Sequence, residues 1–289
     1  MTDLLQLTFS GLAQGAVYGL IALGFVAIFS VREIVNLAQG EYAALAGLAA
    51  ISGVAAGLPL LVVILLVVPF VVLVSVLIER VAIAPVKKMT PLVSIILTLG
   101  VSTALKAIML LVWGPEARSL STFPGQNFTV AGVSIRSQEL WILGIAAVLG
   151  YAVVWFYEHT LHGKALRACA EQPVAARLVG ISPRTATMVA FAIAGLVGAV
   201  AGVIGSPIYF ASWEHGLTLG LKGFVAATLG GLVSFRVAFI GGLMLGVLEN
   251  LVAGYLDSGY RDAVAFIVLV LVLVLRPQGL ALRGSGVRV

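Results

Sequence analysis

Four charged side chains, Glu41, Lys106, Lys222 and Glu249, stand inside otherwise apolar stretches of the sequence. A charge carried into a hydrocarbon interior is costly, so such residues pair with one another or mark solute and ion pathways. Lys106 has a stem long enough to snorkel toward an interface, or it pairs with an acid on a neighbouring helix. Lys222 and Glu249 admit two readings: a buried pair that fixes helix packing, or a contribution to a translocation path. Asn36, Gln39, Gly40 and Glu41 fall within one and a half helical turns and are together too polar to face lipid. One reading makes them a polar helix start capped by Asn36.

Other chemistry lacks its residues. His159 and His162 are not in the His-Glu-x-x-His order of a zinc protease. Gly163-Lys164 has neither the glycine five positions upstream nor the following hydroxyl residue of a phosphate-cradling loop. Ser102 has no buried base beside it in the sequence and reads as a helix-packing serine. Cys169 is the single cysteine, so it forms no internal disulfide and reads as an inert thiol. No catalytic set emerges, and the expectation is a protein that is not an enzyme and holds no metal or cofactor of its own.

The elements that position these residues follow from composition. Of 289 residues, 61% are hydrophobic and 10% charged, with mean hydropathy +1.14. A soluble domain carries roughly a quarter charged residues. A soluble enzyme, a disordered chain and a nucleic-acid-binding module are therefore excluded, and the formal charge of +5 reads as the Lys/Arg excess of cytoplasmic loops. The expected fold is an all-α, polytopic integral membrane helix bundle.

Apolar segments run over 12–30, 35–54, 60–78, 92–113, 141–157, 186–206, 217–234, 237–253 and 263–275, giving eight or nine membrane segments. Gly11, Gly15 and Gly19 leave one face of the first small enough for close approach by a neighbour. The 60–78 segment is aliphatic all round despite Pro69, which places it toward lipid. The 217–234 segment carries Lys222 among four glycines and is either a full span or a re-entrant piece. The whole chain, 1–289, reads as one transmembrane domain.

Loops at 80–88 (Arg80, Lys87, Lys88) and 158–184 (Lys164, Arg167, Arg177, Arg184) and the tail (Arg276, Arg283, Arg288) hold ten of the 17 basic residues, and are assigned to the cytoplasm. The 114–139 loop, with room for a small hairpin, then lies outside. Nine spans put the amino terminus outside too, and incomplete crossing by 35–54 or 217–234 reverses that. Within 158–185, Pro173 suits a first helical turn and Gly180 a stop, so Pro173 to Gly180 is predicted as a helix of about two turns.

Gly-Leu-Ala-Gln-Gly-Ala-Val-Tyr-Gly-Leu-Ile-Ala-Leu-Gly-Phe (11–25), Val-Asn-Leu-Ala-Gln-Gly-Glu-Tyr (35–42), Thr-Leu-Gly-Val-Ser (98–102), Gly-Lys-Ala-Leu-Arg-Ala (163–168) and Arg-Pro-Gln-Gly-Leu (276–280) occur in this order. Ala-Ala-Thr-Leu-Gly-Gly-Leu (226–232) and Gly-Gly-Leu-Met-Leu-Gly-Val-Leu-Glu (241–249) extend the pattern over nearly the whole chain. It resembles the membrane permease subunit of branched-chain amino-acid ABC importers, the LivH type.

The resemblance implies a bacterial plasma (inner) membrane permease with four kinds of partner. These are a second, similar permease subunit, two cytoplasmic ABC ATPase subunits that carry ATP-Mg, a periplasmic or lipid-anchored solute-binding protein, and the bilayer; nucleic acid is not among them. It implies that 158–185 is a coupling loop gripping the ATPase. Ala175, Ala176 and Gly180 match the Ala-Ala-x-x-x-Gly signature of ABC importers. Val174 replaces the usual glutamate, Glu171 lies about a turn earlier, and the Ile-x-Leu-Pro ending is missing. Lys164, Arg167 and Arg177 would meet acids on the ATPase, with Val174, Leu178 and Val179 docking by apolar contact. The same resemblance makes Asn36, Gln39, Gly40 and Glu41 a broken helix near the pathway, as an alternative to the capped start. Related permeases carry urea or short amides. The rival of another class, an ion-coupled secondary transporter, predicts two matching halves, and no convincing half-to-half repeat is visible.

Overall fold

The computed structural model describes residues 2–86, 89–130, 133–178 and 180–275. Lys87, Lys88, Val179 and the tail with Arg276, Arg283 and Arg288 lie outside the described residues. The nine apolar segments fall on α1 (Thr2–Arg32), α2 (Gln39–Ala55), α3 (Leu60–Ile78), α4 (Pro91–Trp113), α5 (Ser137–His159), α8 (Pro183–Gly205), α9 (His215–Leu229), α10 (Phe235–Tyr255) and α11 (Arg261–Leu275). Between α5 and α8 lie two short helices, α6 (Leu161–Glu171) and α7 (Pro173–Leu178). A hairpin of β1 (Phe128–Val130) and β2 (Val133–Ile135) interrupts the 114–139 loop.

The chain is a polytopic helical membrane bundle. Among the described residues, seven helices are long and apolar enough to cross a membrane. The helices α2 and α9, with 17 and 15 residues, reach only ~25 and ~22 Å against a hydrocarbon core of ~30 Å. Both start part-way into the bundle. Gln39, the first residue of α2, packs on Gly24 of α1 and donates from Nε2 to Ala194 O, 2.9 Å away. Ala194 is eleven residues into α8, or ~16 Å from its start. Gly40 in turn lies against Gly216 and Gly220 of α9. The segment read from sequence as helical from residue 35 is therefore non-helical until Gln39, and the 217–234 segment is helical only to Leu229.

Two ends of the bundle can be told apart. The hairpin end carries the start of α1, where Gln6 Nε2 donates to Ser134 O and Ser134 N donates to Gln6 Oε1. That pair of bonds gives the polar first turns of α1 a partner and carries the helix well ahead of the predicted residue 12. The Arg118–Ala211 backbone bridge ties the 114–136 connection to the α8–α9 turn at the same end. The α6–α7 end carries Arg32, a π-helical turn at Glu79–Ile83, and the α9–α10 turn.

Helix α1 is the axis of the bundle, 89% buried over its apolar window, whereas the windows of α3, α4 and α11 are 22%, 22% and 6% buried and face outward. This agrees with the aliphatic, Pro69-containing 60–78 segment being placed toward lipid. It packs antiparallel on α10 through glycines. A Cβ on Gly246 would lie 2.3 Å from Gly15 N, and one on Gly15 would lie 2.5 Å from Gly242 O. Such contact maximises dispersion where no hydrophobic effect separates protein from lipid tails.

Gly246→Leu is therefore expected to abolish a monodisperse bundle. Gly100→Ala in α4, where an added Cβ meets nothing within 4 Å, should leave thermal stability unchanged or slightly raised. Size-exclusion profiles of heated, detergent-solubilised protein check both.

Candidate functional site

The polar residues singled out in the sequence resolve into two separate buried clusters and one surface element. The first cluster surrounds Glu41, whose side chain is fully buried. Its Oε1 accepts from Ser102 Oγ at 2.8 Å and lies 3.9 Å from Lys106 Nζ. Ser102 is thus more than a packing serine, and Lys106 meets an acid on a neighbouring helix. Ser102 is eleven residues into α4, ~16 Å from its start, so this contact sits near mid-depth.

Glu41 Oε2 and Gln39 Oε1 are buried acceptors without a partner among the described residues. Gly216 makes room for the carboxylate, since a Cβ there would fall 2.0 Å from Oε2. Asn36 does not cap α2. The cap position is Ala38, which makes no side-chain cap bond, and Asn36 Oδ1 accepts from Ala38 N at 3.2 Å in a turn two residues earlier. Of the two readings, the geometry is that of a helix broken before Gln39. Two unpaired acceptors at depth can take hydrogen bonds from an ammonium or amide donor.

The second cluster pairs Lys222 with Glu249, Nζ to Oε2 at 3.0 Å. Lys222 also reaches Asp262 Oδ1 of α11 at 2.8 Å. Tyr18 OH and Gln14 Nε2 donate to Glu249 Oε2 at 2.8 and 3.3 Å, and Asn250 Nδ2 donates to Gln14 Oε1 at 2.8 Å. Sequence reasoning placed Lys222 and Glu249 but missed Gln14, Tyr18 and Asp262. The available signal was the interruption of the apolar face of α1 by Gln14. Asp262 lay at the edge of a short aliphatic run and looked like loop. Lys222 and Glu249 do not join the Asn36–Glu41 group.

The surface element is α6–α7. The 158–185 region, read as a loop around one short helix, holds two. Thr160 Oγ1 accepts from Gly163 N at 3.0 Å and starts α6, while Leu166 and Cys169 turn inward. The missed signal was that capping threonine together with the i, i+3 pair Leu166 and Cys169. Helix α7 spans ~9 Å and stops at Gly180, which has φ +83°, a region that favours glycine. Ile181 N donates to Ala176 O at 2.9 Å and closes the turn.

Ala176 is buried, whereas Val174 and Leu178 are 72% and 84% exposed, one turn apart on one face. Ala175, Lys164 and Arg177 are also exposed, and Arg167 is half-buried. Glu171 ends α6, and its side chain lies outside what is described. Among the described residues no group of three or more metal-binding side chains converges.

With this geometry in hand, comparison with known proteins becomes specific. The model for the branched-chain amino acid transport system permease component matches residues 7–273. The chain belongs to this family. It is 34% identical to the high-affinity branched-chain amino acid transport system permease protein LivH of Escherichia coli (strain K12), covering 96% of this chain and 94% of that one. It is 30% identical to the permease protein BraD of Pseudomonas aeruginosa, covering 96% and 95%. Its fold resembles a chain in a solved structure of PsaBC from Streptococcus pneumoniae in complex with Fab, with a TM-score of 0.52 at 11% identity over 93% of this chain and 91% of that one. The protein is thus a multi-pass transport permease component of an ABC importer and not an enzyme.

Two outcomes follow. Lys222→Met leaves Glu249 buried without its counter-charge and is expected to cost about 3–5 kcal/mol. Adding Glu249→Leu should recover much of that loss, measured by unfolding in detergent. Burial pushes the Cys169 thiol up, so its thiolate fraction near pH 7 is below that of an ordinary cysteine of pKa about 8.5. Maleimide labelling should therefore be slow at neutral pH, rise only on the alkaline side, and become fast once the protein is unfolded.

Proposed function

We propose that this chain is a permease subunit of a bacterial inner-membrane importer that carries branched-chain or related amino acids inward, driven by ATP hydrolysed on partner subunits. The partners are a second, similar permease, two cytoplasmic ABC ATPases that hold ATP-Mg, and an external solute-binding protein that supplies selectivity. Family membership supports the solute class. The exposed Val174–Leu178 face on a short helix between α5 and α8 is the observation that carries the mechanism, because a solvated loop has no reason to present two large aliphatic side chains one turn apart.

Charge supports the orientation. Among the described residues the α6–α7 end holds Arg32, Arg80, Lys164, Arg167, Arg177, Arg184 and Arg236, against Arg118, Arg136 and Arg261 at the hairpin end. By the positive-inside rule the α6–α7 end faces the cytoplasm and the 114–139 connection lies outside. Closure of the ATPase pair then pulls α7, with Val174 and Leu178 seated in the ATPase. Lys164, Arg167 and Arg177 add at most about 1 kcal/mol each as exposed ion pairs. Asn36, Gln39, Gly40 and Glu41 line the path for the solute, whose ammonium group suits the free acceptors on Gln39 and Glu41. Lys222 and Glu249 stand as a packing pair beside it.

Proteoliposomes containing this chain, its partner permease, the ATPases, the binding protein and ATP are expected to accumulate leucine. Leu178→Glu should lower ATPase co-purification and uptake by about tenfold or more, the cost of losing one buried leucine, while membrane insertion is unchanged. Uptake by this chain alone down an ion gradient would refute the reading.

A further inference from the structure

A cleft of about 550 Å³ opens at the α6–α7 end and is lined by Arg32, Arg80, Arg177 and Arg184 together with Glu33 and Glu79. Its size lies within the ~300–1,000 Å³ of small-molecule sites. Four arginines against two acids leave it positive, and none of these arginines takes part in an ion pair among the described residues. Glu79 is 1% exposed, and its Oε1 is a buried acceptor without a partner among the described residues. The cleft sits at the lipid boundary: Arg80 follows directly on α3, whose Leu73 and Leu77 are exposed, and Val81 beside it is 68% exposed.

We propose that this cleft binds the headgroup of an anionic glycerophospholipid, of which phosphatidylglycerol is the type. Each element has a chemical counterpart on the protein. Guanidinium groups present forked N–H donors that match the oxygens of a phosphodiester. The free acceptor on Glu79 takes a hydrogen bond from a headgroup hydroxyl, which phosphatidylglycerol has. The exposed aliphatic side chains of α3 lie where the acyl chains continue into the bilayer. Phosphatidylethanolamine would instead bring its ammonium into the field of the arginines. Free phosphate shares the arginine chemistry but has no use for the apolar flank. The cleft shares Arg177 with the coupling surface, but its test replaces Arg80 and Arg184, which are not among the coupling residues, so its failure would leave the transport reading intact.

The test uses the full chain, purified in mild detergent, delipidated and titrated with phosphatidylglycerol, phosphatidylethanolamine or inorganic phosphate under native mass spectrometry. Phosphatidylglycerol is expected to bind in preference to phosphatidylethanolamine. Arg80→Gln and Arg184→Gln should each weaken it about fivefold, the usual worth of one basic residue at a membrane surface. Arg136→Gln, an exposed arginine at the hairpin end, serves as the control that changes nothing. Equal binding of the two lipids, or no effect of the cleft variants in protein that still elutes as a single species, overturns the proposal. Displacement of the lipid by millimolar inorganic phosphate would make this a soluble-anion site and also overturn it. Retention of the lipid is expected in the complex assembled with ATPase subunits, and its expulsion there would give the cleft to the protein partner instead.

Discussion

Hydrocarbon offers no hydrogen-bond partner, so a chain that leaves the helical state inside a bilayer must be walled by protein. Residues 33–38 do this between α1 and α2, and the rest of the bundle is arranged around them. Thr98 Oγ1 of α4 donates to Val35 O, Asn36 Oδ1 accepts from Ala38 N, and Gln39 Nε2 donates to the backbone of α8. The walls must come close to meet a bare backbone, which requires small residues on the approaching helices. A Cβ on Gly202 of α8 would lie 2.0 Å from Ala43 O, and one on Gly40 would lie 1.9 Å from Gly216 O. The glycines spread through α8, α9 and α10 are the steric counterpart of one broken segment and the central helix beside it.

The two buried charge clusters do different work within that frame. Lys222 is held from two sides, by Glu249 with its Tyr18 and Gln14 donors and by Asp262, whose side chain is 63% exposed. Asp262 belongs to α11, the helix with the smallest buried share, and a charged contact ties that otherwise lipid-facing element to the interior. Removing a partner from such a set costs more than the set contributes, because the remaining charge stays desolvated. Glu41 and Glu249 each keep one oxygen without a partner among the described residues, Oε2 and Oε1 respectively, and differ in their counter-charge: Lys222 lies 3.0 Å from Glu249, whereas Lys106 is 3.9 Å from Glu41. The tightly paired cluster fixes packing, whereas the loosely paired Glu41 stands beside a second free acceptor, Gln39 Oε1.

The architecture was legible because hydrophobic runs of about 20 residues have one physical meaning in a chain with so little charge. All nine segments mark helices, and the small-residue faces of α1 and α8 pack as their spacing implies. What could not be read was where a helix begins inside the membrane. Residues 35–38 carry no proline or glycine to mark a break, and the turn they form before Gln39 shows only in its own bonds, Gln39 N to Asn36 O and Ala38 N to Asn36 Oδ1, and in the contact of Thr98 with Val35 O. Pairing was equally hidden. Nothing local links Glu41 to Ser102 and Lys106, or Lys222 to Glu249 and Asp262, across separations of up to 65 residues. The short helix α7 was readable because its Pro173 and Gly180 punctuate it locally, whereas α6, which starts on the Thr160 cap and ends just before Pro173, reads as loop because its charged residues outweigh those signals.

The position of α7 gives the proposed coupling a physical route. Ile181 N bonds back to Ala176 O, so a closed turn ties the end of α7 to the residues that lead into α8. Helix α8 is stiff over 23 residues, and its inner half carries Ala194, Gly198 and Gly202 against Gln39, Tyr42 and Ala43 of α2. In the proposed coupling, a displacement of α7 would pull through that turn on the start of α8 and, along α8, on the contacts that enclose the start of α2. Close-packed glycine interfaces yield by sliding between discrete arrangements more readily than by compression. The broken segment beside Glu41 is accordingly the part of the bundle whose walls a pull on Val174 and Leu178 would part first.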